Sequence, residues 1–218
     1  MLVSIHIPKT AGTTFGTFLS DRYGRRLLKD YGDRPLSHPA GPRLARAVAA
    51  IPSAPARLDG FDAVHGHFLP LKYVAVRGDF VTWLRDPAQR ILSRYHHYLR
   101  DVAAGRPLQD VAGLRPGLAL AEFIEIPRFQ DSYAKYFRGF PLRRVSCFGF
   151  SEDVAGGLAR MQRRLGWDTG GHTAKAVNVN PARTGDRYDV PAAVQRRIER
   201  LNRADYRIWF QAREREGA

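Results

Sequence analysis

The chain has 218 residues, 44% hydrophobic and 26% charged, which is enough to build a substantial core and excludes an intrinsically disordered chain. The 35 Lys and Arg residues outnumber the 21 Asp and Glu residues and leave a net charge of +14, which demands an anionic partner: nucleic acid, a phosphorylated nucleotide, an anionic polysaccharide or a membrane surface. The single cysteine, Cys147, excludes an intramolecular disulfide and a cysteine-based zinc cluster; flanked by Val145 and Phe148, it reads as a core strand residue. No apolar run approaches the ~20 residues that span a bilayer, and strand-like residues begin at Leu2, leaving no room for a secretory leader. A single cytoplasmic domain over residues 1–218 is the expectation.

Along the chain, alternation and β-branching predict a strand at Leu2–Ile7, and helical spacing follows at Thr14–Tyr23. Residues 33–57 are rich in proline (Pro35, Pro39, Pro42, Pro52, Pro55) and alanine, with room for a short helix at Leu44–Ile51. This excursion is the candidate acceptor-facing segment. Strands are predicted at Phe61–His65, Asp79–Leu84 and Arg144–Phe148. Asp86 is placed to cap a helix that opens at Pro87 and runs to about Val102. Shorter helices are expected near Leu118–Glu125 and Gln130–Phe137, another from Ser151 and Asp153 to Leu165, and two basic ones at Pro191–Leu201 and Arg203–Arg215. Strands alternating with helices predict an α/β fold, a mostly parallel sheet with helices on both faces and ligands at the carboxyl ends of its strands.

Two segments carry anion-binding chemistry. The first, His6-Ile7-Pro8-Lys9-Thr10-Ala11-Gly12-Thr13-Thr14, joins a strand to a helix through a Gly-containing loop. Backbone N–H groups and the helix dipole attract an anion there, Lys9 adds a charge, and Thr10, Thr13 and Thr14 add hydroxyls. Because Lys9 precedes Gly12, this is not a Walker A loop, and no carboxylate is placed for magnesium. An ordinary turn with a threonine cap is the bland alternative, and His6, on a strand entering the core, reads as packed. In the second segment Arg85 ends the Asp79–Leu84 strand and Ser93 lies two helical turns further on, sharing a face with Gln89. An arginine fork with a hydroxyl suits a terminal phosphate; an Arg85–Asp86 or Asp86–Arg90 pair that only caps the helix is the alternative.

A third constellation is His65-Gly66-His67, just past a strand end. Attack by an alcohol needs a base, and histidine titrates in the right range. In extended chain both rings face one side. A metal site and packed structural histidines are the alternatives.

HIPKTAGTTF resembles the 5′-phosphosulfate-binding loop of carbohydrate sulfotransferases that use 3′-phosphoadenosine 5′-phosphosulfate (PAPS), nearest the heparan-sulfate and uronyl 2-O- and 6-O-sulfotransferase branch. FVTWLRDPAQRILSRYHHYL is similar to that family's 3′-phosphate segment, and RFQDSYAKYF and VSCFGFSEDVAGGLARMQRRLG to later ones, with a looser echo in Asn178-Val179-Asn180-Pro181. The resemblance implies a P-loop-like sulfotransferase fold, PAPS as donor and 3′,5′-adenosine bisphosphate (PAP) as product. It also implies transfer to a glycan hydroxyl, with no metal. It assigns Lys9, Thr10, Ala11, Gly12, Thr13 and Thr14 to the 5′ side, Arg85 and Ser93 to the 3′-phosphate, and His67 to the base, with Lys9 stabilising the departing oxygen. An acceptor that is itself anionic suits the arginine surplus. The partner that orients His67 is left open among Glu122, Glu125 and Asp131, as is the oligomeric state. Rival readings are a kinase-like nucleotide binder and a nucleic-acid-binding module. Against the latter, Tyr95, Tyr98, Tyr133, Tyr136 and Phe137 fall at helical spacing and read as core.

Overall fold

The computed structural model describes residues 1–37, 40–167 and 187–218; residues 178–181 lie outside them. Five strands, β1 (Leu2–Ile5), β2 (Leu27–Lys29), β3 (Ala63–Gly66), β4 (Asp79–Leu84) and β5 (Val145–Phe150), form one all-parallel sheet in the order β2-β3-β1-β4-β5. Helices α1 (Gly12–Tyr23), α2 (Ala40–Ala50), α3 (Ala54–Arg57), α4 (Pro87–Ala103), α5 (Leu120–Phe123), α6 (Ser132–Tyr136), α7 (Val154–Leu165), α8 (Ala192–Leu201) and α9 (Arg203–Glu216) connect and follow them.

Alternation along the strands builds a core on each face of the sheet. Val3, Ile5, Val64, Phe80 and Leu84 pack with Tyr133 and Tyr136 of α6 and Ala212 of α9. Leu2, Ala63, Val81, Trp83 and Cys147 pack instead with Phe15, Phe18 and Leu19 of α1 and Leu158 and Met161 of α7. Each large side chain so buried contributes ~1.5–3 kcal/mol. The tyrosines Tyr98, Tyr133 and Tyr136 are buried as their spacing predicts, as is Phe137, while Tyr95 is partly buried.

β1 lies between β3 and β4, so the loops after these three strands leave one sheet edge side by side. The chain moves to one side after β1 and crosses to the other after β3. The resulting switch point lies at β1 and β4, where the crevice of an open parallel sheet forms. Asp86 caps α4 as predicted, its carboxylate accepting from Gln89 N–H at 3.0 Å with Pro87 in the first turn. Asp153 does the same for α7, accepting from Gly156 N–H at 2.8 Å.

Three features differ from expectation. β1 ends at Ile5, freeing His6 and Ile7 for the loop. β2 was not anticipated; Leu27 and Leu28 are held extended by pairing with Ala63 and Val64. Among its described residues the 33–57 excursion holds two helices: α2, which starts earlier than Leu44, buries Ala47 and packs on the turn Pro70–Tyr73, and the short α3, which was not expected. Among the described residues no helix is long and apolar enough to cross a membrane.

Candidate active site

The loop after β1 is wound tightly by its own side chains. Lys9 and Ala11 both take left-handed conformations, φ 71° and 67°, on either side of Thr10. Each costs roughly 1–2 kcal/mol in a residue other than glycine. Alternating handedness of this kind turns successive N–H groups toward a common point and is typical of anion-binding loops. Thr10 is fully buried, and its hydroxyl donates to the Ile7 carbonyl at 2.8 Å, so its side chain shapes the loop and is not offered to a ligand. Thr13 is exposed and Thr14 buried in the first turn of α1, which has neither an acidic residue nor a side-chain cap to offset its positive end. Gly12 is required because a Cβ there would stand 1.9 Å from the His6 ring.

Three histidines cluster beside this loop. The His6 ring is centred 5.0 Å from that of His65 and 4.2 Å from that of His67. Nδ1 of His67 lies 2.6 Å from the His6 carbonyl oxygen. A carbonyl only accepts, so Nδ1 carries the proton and Nε2 holds the lone pair of the neutral ring. The Tyr136 hydroxyl lies 3.2 Å from the same Nδ1. Burial lowers the His67 pKa, which keeps the ring in this basic form. His65 is more enclosed: Ser4 Oγ lies 2.8 Å from its Nδ1, and burial pushes it down to about 4. His6, packed as expected, falls to about 2 through burial and the neighbouring rings of His67 and His65.

Facing the loop, α4 brings up a set of cations. Burial together with Arg94, Arg100 and Arg85 pushes the Lys9 ammonium down to about 8, against the opposing pull of Asp101. His97 is lowered by burial and by the charge of Lys9. Positive charge is thus concentrated between the β1 loop and α4, at the switch point. No protein-family model matches the chain, and no curated protein matches it either.

Sequence-predicted residues fall into this arrangement as follows. Lys9, Arg85, Ser93 and His67 all lie on the loops and the helix that leave the ends of β1, β3 and β4. Arg85 is positioned through its backbone by Tyr133, and its guanidinium lies over the Tyr188 ring at 5.6 Å. Tyr188 also stacks on His96, with centroids 4.5 Å apart, and Gln89 binds both its N–H (2.7 Å) and its carbonyl (2.9 Å). Ser93 is buried one turn beyond Gln89. The suggested Asp86–Arg90 pair is replaced: Arg90 lies 3.7 Å from Asp205, and Asp86 lies 3.7 Å from Arg187.

The partners suggested for His67 are corrected. Glu122 binds Arg115 and the Ala119 N–H, Glu125 binds Arg197, and Asp131 accepts from the Ala204 and Asp205 N–H groups. A backbone carbonyl orients the ring instead. Sequence reasoning also missed Tyr136, Arg94, Arg100 and Tyr188. Of these, Arg100 could have been found from its spacing, since it lies seven residues beyond Ser93 on the same face of α4.

Proposed function

We propose that the chain is a sulfotransferase with a P-loop-like sulfotransferase fold, taking the sulfuryl group of PAPS to a hydroxyl of a glycan. The observation that carries this reading is the pairing, at one switch point, of a cation cluster centred on Lys9 with a neutral His67 whose Nε2 holds a lone pair. The donor's two phosphate ends match the two sources of charge, the Lys9–Thr14 loop for the 5′ side and Arg85 with Ser93 for the 3′-phosphate, with Arg94 and Arg100 adding to the field. The aromatic face of Tyr188 beside Arg85 suits a nucleotide.

In this reading His67 Nε2 accepts the acceptor's hydroxyl proton as the oxygen bonds to sulfur, and the bond from sulfur to the phosphate oxygen breaks to release PAP. Lys9 and the loop N–H groups stabilise the charge that grows on the departing oxygen, so positioning and electrostatics supply most of the rate. An anionic acceptor suits the charge around the site: Arg94 feels the charge of Arg128, Arg128 feels Arg34, and Arg43 of the 33–57 excursion feels Arg128.

The test is a thermal-shift titration at fixed ionic strength with PAP, 5′-AMP and Mg-ATP. A ligand that binds the folded state raises its stability by RT ln(1 + [L]/Kd), so affinities rank directly. A shift with PAP that is weaker with AMP and lost in Arg85→Ala supports the reading. Equal shifts for all three that fade together with salt turn it toward nucleic-acid binding.

A further inference from the structure

Tyr31 is 43% exposed, and of the large hydrophobic side chains exposed among the described residues it is the one in ring contact with the histidines. Its ring stands nearly perpendicular to that of His67 (centroids 5.0 Å, 86°) and of His6 (6.1 Å, 83°). Its hydroxyl lies 3.4 Å from His6 Nδ1.

The segment that carries Tyr31 is anchored on both sides. Asp30 N–H donates to the His65 carbonyl at 2.9 Å, and its carboxylate accepts from the Tyr73 hydroxyl at 2.6 Å and pairs with the buried Lys72. Asp33 accepts from Lys72 Nζ and from Leu69 N–H, both at 3.0 Å. The Asp30 carbonyl sits where a Cβ at Gly66 would be, 1.7 Å away, so the glycine between the two histidines lets this segment dock beside them. Lys72 is enclosed between the two carboxylates, so losing either would leave its buried charge short of a partner, which ties the segment down. The result is a partly exposed aromatic ring beside the three histidines, on a segment anchored on both sides.

We propose that Tyr31 is the platform on which a pyranose ring of the acceptor packs, positioning one of its hydroxyls at His67; this rests on the sulfotransferase reading above. A pyranose has an apolar face of C–H groups that fits an aromatic plane, while its hydroxyls project from the ring edge. A sugar lying on Tyr31 therefore presents an edge hydroxyl toward the adjacent imidazole. Tyr31 is a positioning residue in this scheme, and its ring matters more than its hydroxyl.

The experiment uses the full chain, PAPS, and as acceptor a tetrasaccharide of alternating uronic acid and hexosamine, with p-nitrophenol as a flat non-sugar alcohol. Tyr31→Ala is expected to raise the acceptor KM about three- to tenfold, the worth of one aromatic contact. It is expected to leave the PAP-induced thermal shift intact, and Tyr31→Phe to keep the wild-type KM. Saturation-transfer NMR on the tetrasaccharide with PAP bound is expected to show contact to pyranose C–H protons that is lost in Tyr31→Ala and kept in Tyr31→Phe. The platform is overturned if Tyr31→Ala leaves KM and the NMR contact unchanged, if Tyr31→Phe loses as much as Tyr31→Ala, or if p-nitrophenol is sulfated and the tetrasaccharide is not. A wild-type protein with no PAP shift overturns the sulfotransferase reading itself, a separate result that removes the platform with it.

Discussion

The Tyr133 hydroxyl grips the backbone of Arg85 from both sides, accepting from its N–H at 3.0 Å and donating to its carbonyl at 2.5 Å. Burial keeps the phenol protonated, so it can do both. Tyr133 is fixed in turn by Asp205, whose Oδ1 accepts from the N–H groups of Tyr133 (2.8 Å) and Ala134 (3.1 Å). Removing the hydroxyl in Tyr133→Phe leaves two backbone groups of a half-buried residue without this partner. The expected cost is ~1–3 kcal/mol of stability. Calorimetric titration is expected to show weaker PAP binding with little change for 5′-AMP. Equal loss for both nucleotides would place Tyr133 outside recognition of the 3′-phosphate.

What the sequence made legible was the local chemistry. The capped start of α4 at Asp86 and Pro87, the Lys9–Thr14 loop and the His65-Gly66-His67 run each announce themselves within a few residues. β2 does not, because Leu27–Lys29 is three residues long beside Arg25 and Arg26, and only its register with β3 makes it a strand. The partner of His67 was equally hidden: it is the His6 carbonyl, and a backbone acceptor carries no residue-type signal. Tyr31 owes its place to Asp30 and Asp33, which are held by Tyr73 and Lys72 through contacts made by folding across 39 to 43 positions.

The pH dependence of turnover follows from two groups. In the proposed reaction His67 acts in its neutral form, and burial lowers its pKa, so activity is expected to be lost as pH falls below the ordinary histidine range. In the same proposal Lys9 acts in its charged form, and kcat/KM for the donor is expected to fall as pH rises through about 8. Arg94→Gln removes a like charge from beside Lys9 and is expected to move this basic limb upward, read from kcat/KM against pH. A limb that stays in place would assign it to a group other than Lys9.

Gly12→Ala tests the packing between the loop and the histidines. The new Cβ would meet the His6 ring at 1.9 Å, so the ring must move, and with it the carbonyl and the neighbouring ring of His67. Overpacking of this kind costs ~1–3 kcal/mol. Urea denaturation is expected to show that loss together with a fall in kcat larger than any change in PAP affinity. Wild-type turnover in this variant would show that the placement of His6 does not govern His67.

The same histidines set the acid stability of the fold. Folded pKa values near 2 for His6 and 4 for His65, against 6.5 unfolded, mean that the unfolded chain binds protons that the native state refuses. Stability therefore falls as pH drops below 6.5, by up to about 2 kcal/mol for each of the two rings at pH 5. His65→Asn keeps a polar partner for Ser4 and cannot titrate, so its urea midpoint is expected to change less between pH 7 and pH 5 than that of the wild type. An unchanged pH slope would mean that His65 binds protons equally in both states, and that its burial beside Ser4 does not hold the ring neutral.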